Sequence, residues 1–153
     1  MGLALIGFAD YFSECMPDAI MVLGDRYETL AVCVAALNAR IPIIHLHGGE
    51  ATEGLVDEAL RNAITKLSYL HFTSTDEYRN RVIQMGEAPE RVFCVGAMGV
   101  ENALHTSVLS KAELENSLKC HLGDKIAILT FHPVTLEENT AVIQINEIIN
   151  AII

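Results

Sequence analysis

Four short apolar runs, each followed by a polar or glycine turn, constrain the fold of this chain more than any other feature. Ala19 to Leu23 stops at Gly24-Asp25, and Ile41 to His45 leads to Gly48-Gly49. Leu67 to Phe72 stops at Thr73-Ser74-Thr75-Asp76, and Arg91 to Val95 stops at Gly96. Helical patterns fill the gaps at Glu28 to Leu37, Asp57 to Lys66 and Asp76 to Met85. The runs are continuous rather than alternating, as in strands buried on both faces. Strands alternating with helices predict right-handed βαβ crossovers and a parallel sheet, hence an α/β, Rossmann-like fold. Thr75 suits an N-cap and Gly86 a C-cap. Pro42, which has no N–H for a ladder, fits the start of a strand or an edge.

The pattern changes after Gly96. A short helix is expected over Gly99 to Leu104, and Ser110-Lys-Ala-Glu113 is a capping box opening a helix to about Lys119. A fresh strand is expected over Lys125 to Phe131. A second capping box, Thr135-Leu-Glu-Glu138, opens a helix that runs to the end. Gly2 to Cys15 reads as a helix packed on a sheet with no strand before it. The expected organisation is therefore the latter part of one Rossmann-like domain over residues 1–105, a linker region over 106–124, and the start of a second such domain over 125–153. Elements of the full fold would be missing at both ends.

Composition narrows the function. The 153 residues carry a formal charge of −10, which disfavours nucleic acid and anionic membrane as partners. No apolar run approaches the roughly 18 residues of a membrane span. The apolar start, Met1 to Ala9, lacks a basic segment and meets Asp10 at once, unlike a signal peptide. The four cysteines form no CxxC pair. Cys33 and Cys94 fall in apolar segments and read as small core residues in a reducing, cytoplasmic compartment. No metal-ligand spacing, GxGxxG or phosphate loop is present, so neither a metal nor a cofactor is expected.

Ligands of open parallel sheets bind at the carboxyl ends of the strands. Asp25 stands there, as an N-cap or a functional carboxylate. His45-Leu-His-Gly-Gly-Glu50 places two histidines, two glycines and a carboxylate at the end of the second run. His45 alone suits a hydrogen-bonded core histidine, whereas His47 lies on the turn. Gly48 and Gly49 permit close backbone approach. Asp57 and Arg61, four apart, share a helical face, as a surface ion pair or as a proton-handling carboxylate beside a phosphate-binding fork. His132 ends the expected fifth strand, where it would face the first domain across a cleft. His71 reads as core, and His105 and His121 as solvated.

In this order, Leu23-Gly-Asp-Arg-Tyr-Glu28, His45 to Glu50, Thr52-Glu-Gly54 with Val56-Asp-Glu-Ala-Leu-Arg61, Val95-Gly-Ala97 and Thr130-Phe-His-Pro-Val-Thr135 resemble the UDP-N-acetylglucosamine 2-epimerase family. The resemblance spans essentially the whole chain and is stronger to the hydrolysing branch, which feeds sialic and legionaminic acid synthesis. It implies two Rossmann-like domains of the glycosyltransferase-B type with a UDP-sugar in the cleft. It implies elimination of UDP to a glycal, addition of water at carbon 1, and return of a proton to carbon 2 on the opposite face. Asp25, Asp57 and His132 match the family's functional positions, and Arg61 matches a motif arginine suited to phosphate. His47 stands where the best-known members have glutamate; a histidine can still move a proton near neutral pH. Glu50, Gly48 and Gly49 would line the sugar site.

The expected function is thus conversion of UDP-N-acetylglucosamine to N-acetylmannosamine and UDP. The expected partners are a UDP-sugar and further copies of the chain in a homo-oligomer. The same reaction on UDP-diacetamido-bacillosamine is the alternative within the family. A non-catalytic fragment with a binding or assembly role is the alternative of another class, and it would expose apolar surface.

Overall fold

The computed structural model describes residues 1–52, 55–133 and 140–152. Helix α1 (Gly2–Glu14) precedes β1 (Ile20–Leu23), α2 (Tyr27–Asn38), β2 (Ile43–Leu46), α3 (Asp57–Leu67), β3 (Leu70–Thr73), α4 (Asp76–Gln84) and β4 (Val92–Cys94). A 3-10 turn at Pro89–Arg91 leads into β4, and three helices follow: α5 (Met98–His105), α6 (Lys111–Leu118) and α7 (Ala141–Ile152). The four strands form one parallel sheet in the order β1-β2-β3-β4. Up to residue 105, the expected strands and helices thus fall where the apolar runs and their punctuation place them.

Local chemistry explains the boundaries. The Thr75 hydroxyl accepts from the Tyr78 N–H at 3.2 Å and caps α4. Gly86, at φ 97°, follows that helix's last turn. Ser110 and Glu113 form the reciprocal capping box on α6. Pro42 sits one residue before β2, and its carbonyl accepts from Ile20 N–H at 2.9 Å. A proline there removes no ladder donor from this central strand.

The expectation about the sheet's faces fails, and the topology says why. The strands are not buried on both faces. In a sequential parallel order, right-handed crossovers put every connecting helix on the same side. That side buries Ile43, His45, His71, Thr73 and Val92. Its core joins Ile43 to Phe12 of α1, Cys33, Ala35 and Ala36 of α2, Ile41, and Ile64 of α3. The other face presents Leu23, Leu46, Phe72 and Phe93 in one register row, with Leu23 and Phe93 exposed. Cys94 is exposed, contrary to the core reading, because β4 is an edge strand whose burial ends after Val92. Cys33 is core, and burial pushes its thiol up to about 11.

Beyond residue 105 the expected helix α6 forms. The expected strand over 125–131 has no ladder partner among the described residues, and Ile128 there is 93% exposed. A strand requires a neighbour for its N–H and C=O groups. The capping box at Thr135–Glu138, together with Glu53 and Gly54, lies outside the described residues.

Candidate active site

At the carboxyl ends of the strands, Leu23, Gly24, Asp25, His47, Glu50, Arg61, Met98 and Gly99 line a cavity of about 340 Å³. A second cavity, of about 410 Å³, lies at the amino ends between Leu37, Arg40, Pro42, Tyr69 and Arg91 and has no carboxylate in its lining. The titratable chemistry therefore converges on the carboxyl-end cavity, as open parallel sheets require.

Arg61 organises it. The side chain projects from the second turn of α3 and is only 4% exposed. Its Nη1 donates to the Glu50 carbonyl at 2.6 Å, and its Nη2 to the Thr52 hydroxyl at 3.3 Å. Nη2 also pairs with the Asp25 carboxylate. The expected alternative of a surface pair between Asp57 and Arg61 is therefore replaced by a longer link, from α3 to the turn after β1. Burying the guanidinium favours a partner that accepts more than one of its donors. Asp57 opens α3, half-buried, one turn before Arg61.

His47 does not continue the strand. It takes φ 64°, and its N–H donates to the Phe72 carbonyl at 2.9 Å. A strand's period of two would keep His47 on the face of His45, and that period ends there. His45 points into the helix-covered layer, and His47 turns to the cavity. His47 Nδ1 lies 2.9 Å from Glu50 Oε1, and Ser74 Oγ donates to the same oxygen at 3.1 Å. An ionised carboxylate only accepts, so Nδ1 carries the hydrogen, and in the neutral ring Nε2 holds the lone pair. This is a histidine–carboxylate pair with a supporting hydroxyl.

The two glycines have separate reasons. Gly49 sits at φ 81°, and a Cβ there would overlap the Tyr78 carbonyl oxygen of α4. A Cβ on Gly48 would come within 3.0 Å of His45 Nδ1 and 3.1 Å of Thr65 Oγ1. Arg81 Nη1 donates to the Gly49 carbonyl at 2.7 Å, tying the turn to α4. Glu58 accepts from Thr52 N–H at 3.1 Å and ties the following loop to α3.

His132 lies on an exposed segment, and no hydrogen bond or ion pair joins it to the cavity among the described residues. His71 is fully buried, as its place in a strand run suggests, and its Nε2 faces Glu87 Oε2 at 3.3 Å. His105 and His121 are exposed. Sequence reasoning passed over Ser74, Thr65, Arg81, Met98 and Gly99. Ser74 follows β3 at the level of the other site turns, so the carboxyl-end rule alone points to it. Thr65 completes the series Asp57, Arg61, Thr65 at helical spacing of four. The described residues hold no group of three or more histidine, cysteine or acidic side chains arranged for a metal. None of their helices is long and apolar enough to cross a membrane.

A family model described as UDP-N-acetylglucosamine 2-epimerase matches residues 1–153. Polysialic acid biosynthesis protein P7 from Escherichia coli is 47% identical over 152 residues, 99% of this chain and 39% of that protein. The UDP-N,N'-diacetylbacillosamine 2-epimerase (hydrolyzing) of Legionella pneumophila is 39% identical over 151 residues, 99% of this chain and 40% of that protein. This chain therefore spans about two fifths of the length of these curated relatives. Among solved structures, UDP-GlcNAc 2-epimerase from Methanocaldococcus jannaschii superposes with a TM-score of 0.64 at 25% identity, covering 67% of this chain and 29% of that one.

Proposed function

Because the chain belongs to the UDP-N-acetylglucosamine 2-epimerase family, we propose that it forms the sugar-handling part of a hydrolysing UDP-N-acetylglucosamine 2-epimerase. The product would be N-acetylmannosamine for sialic-acid-type synthesis. The observation that carries the reading is the convergence of Asp25, His47, Glu50 and Arg61 on one cavity at the strand ends.

The chemistry follows from the donor set. Removing the weakly acidic proton from carbon 2 needs a positioned base. His47, with Nδ1–H on Glu50, offers Nε2 for it. As that C–H bond breaks, its electron pair forms the double bond to carbon 1, and the bond from carbon 1 to the diphosphate oxygen breaks toward UDP. Water then adds its hydroxyl to carbon 1, and a proton returns to carbon 2 on the other face. Asp25, in the cavity lining, and Asp57, one turn before Arg61 on α3, are the carboxyl groups we assign to that second transfer. Arg61 is the cationic member of the lining and offsets charge developing on the leaving diphosphate. His132 would join from residues 125–153, read as the start of a second Rossmann-like domain. Further copies of the chain would complete a homo-oligomer in the cytoplasm.

A second reading keeps the chemistry and changes the sugar. The curated relatives from Campylobacter jejuni and Legionella pneumophila, at 40% and 39% identity, are bacillosamine 2-epimerases by name. The test is incubation of the full-length protein with UDP-N-acetylglucosamine in deuterated water, followed by NMR. UDP release with N-acetylmannosamine deuterated at carbon 2, abolished by His47→Ala and by Asp57→Asn, is the expected result. Turnover of the bacillosamine analogue alone would select the second sugar. A folded protein that releases UDP from neither substrate would overturn the assignment.

A further inference from the structure

We infer that His45 is a positioning residue that fixes both turns carrying the proposed catalytic groups through a single Nε2–H tautomer. The inference rests on the function proposed above. His45 does not line the cavity. It lies beneath it, fully buried, in the third position of β2.

The tautomer follows from the partners. His45 Nε2 lies 2.8 Å from the Gly24 carbonyl, which can only accept. Nε2 therefore carries the hydrogen, Nδ1 holds a lone pair, and the Thr65 hydroxyl at 3.2 Å donates to it. Thr65 is also fully buried, so no solvent competes for either bond. Burial pushes the His45 pKa down to about 4, against the opposing effect of the Gly24 bond, so the ring is neutral at ordinary pH.

The two turns depend on this ring differently. Gly24, at φ 75°, donates its N–H to the Leu46 carbonyl at 3.1 Å and accepts from His45 through its own carbonyl. Both polar atoms of the residue before Asp25 are thus held by β2. Gly48 rests directly on the bond between His45 and Thr65, and a methyl group there would press on both of its atoms, at 3.0 and 3.1 Å. That contact sets the height of the turn bearing His47 and Glu50. An imidazole of any other tautomer would leave the Gly24 carbonyl without its donor. Misplacing reacting groups by about 1 Å costs roughly 100-fold in rate, which sets the scale of the effect.

The experiment uses the full-length protein, with turnover of UDP-N-acetylglucosamine, UDP affinity by calorimetry, and nitrogen-15 spectra of the histidine rings. His45→Leu is expected to lower kcat about 10- to 100-fold while UDP affinity stays within about threefold. His45→Gln, whose amide can donate to Gly24, should restore most of the loss, and His45→Asn, too short to reach, should not. In the wild-type spectrum the His45 ring, told apart from the other buried ring, His71, by its loss in His45→Gln, should be an Nε2–H tautomer that does not titrate between pH 8 and about pH 5.5. A folded His45→Leu protein with undiminished kcat, a glutamine variant no better than asparagine, or an Nδ1–H tautomer would each overturn the inference. If the leucine variant does not fold, the glutamine–asparagine comparison and the spectrum decide. Wild-type protein that turns over neither UDP-sugar refutes the reaction assignment, while the spectrum still tests the tautomer.

Discussion

Gly49→Ala and Gly96→Ala are matched in backbone and opposed in surroundings. Gly49 has φ 81° and Gly96 φ 86°, so alanine at either site takes the left-handed region, at about 1–2 kcal/mol. At Gly96 nothing lies within 4 Å of an added Cβ, and that strain is the whole cost. At Gly49 the methyl would overlap the Tyr78 carbonyl oxygen and approach Val82 Cγ2 to 2.9 Å. Neither can yield: one is helix backbone, and the other belongs to a fully buried side chain. Overpacking of this kind adds about 1–3 kcal/mol, giving about 2–5 kcal/mol in all. With a urea slope near 2 kcal/mol/M, the midpoint should fall by about 1–2.5 M for Gly49→Ala and about 0.5–1 M for Gly96→Ala. Far-UV circular dichroism of the full-length protein reads both. Equal shifts would refute the claim that packing against α4 makes Gly49 obligatory.

Arg61→Met strips the Asp25 carboxylate, the Thr52 hydroxyl and the Glu50 carbonyl of one shared donor. Breaking a buried pair costs about 3–5 kcal/mol, and with Asp25 one quarter exposed, about 2–3 kcal/mol is expected in urea unfolding. Asp25→Asn should lower kcat about 100-fold or more with a smaller loss of stability, as steady-state assays beside urea unfolding would show. Acid should weaken the fold through His45: its folded pKa of about 4 lies below the ordinary 6.5, so between those values the unfolded chain holds a proton the folded chain does not. Stability is then lost as pH falls from about 6.5 toward 4, by about 3 kcal/mol at most. A loss that persists unchanged in His45→Gln would contradict that origin. Burial works to raise the Glu87 pKa, but the Lys66 ammonium and His71 outweigh it and hold it below 4.5. That stabilisation is present above 4.5 and lost as pH falls through the lower folded value, and Lys66→Met should diminish the loss in urea midpoints measured across pH 3 to 5.

Much of the sheet was legible because its punctuation is chemical. Pro42, Thr75 and Gly86 mark boundaries by what their backbones can and cannot do, and the structure uses each as read. The faces were not legible, since a continuous apolar run such as Ile20 to Leu23 looks the same whether one side is covered or two. Only strand order decides that. The site was legible as a level in the fold, not as a set of contacts. Sequence spacing paired Asp57 with Arg61 along one helix, but the guanidinium reaches Asp25 and the Glu50 carbonyl across the chain. A period of two would keep His47 on the buried face with His45, and the positive φ that turns it to the cavity is announced by no local pattern. His132 belongs to a segment whose strand has no neighbour among the described residues, so its spatial place cannot follow from this sheet.

The sequential strand order also bears on how the chain emerges from the ribosome. The described strands begin at residues 20, 43, 70 and 92, and each after the first pairs with the one made just before it. Among these four strands, none must wait for a later one to be inserted between existing neighbours. At roughly 5–20 residues per second of synthesis, a new helix–strand unit becomes available every few seconds, far longer than local helix formation takes. The turn holding Asp25 can therefore receive its partners in order, first β2 with His45 and then Arg61 from α3. The site can be assembled vectorially during translation, with each newly made edge serving as the template for the next strand.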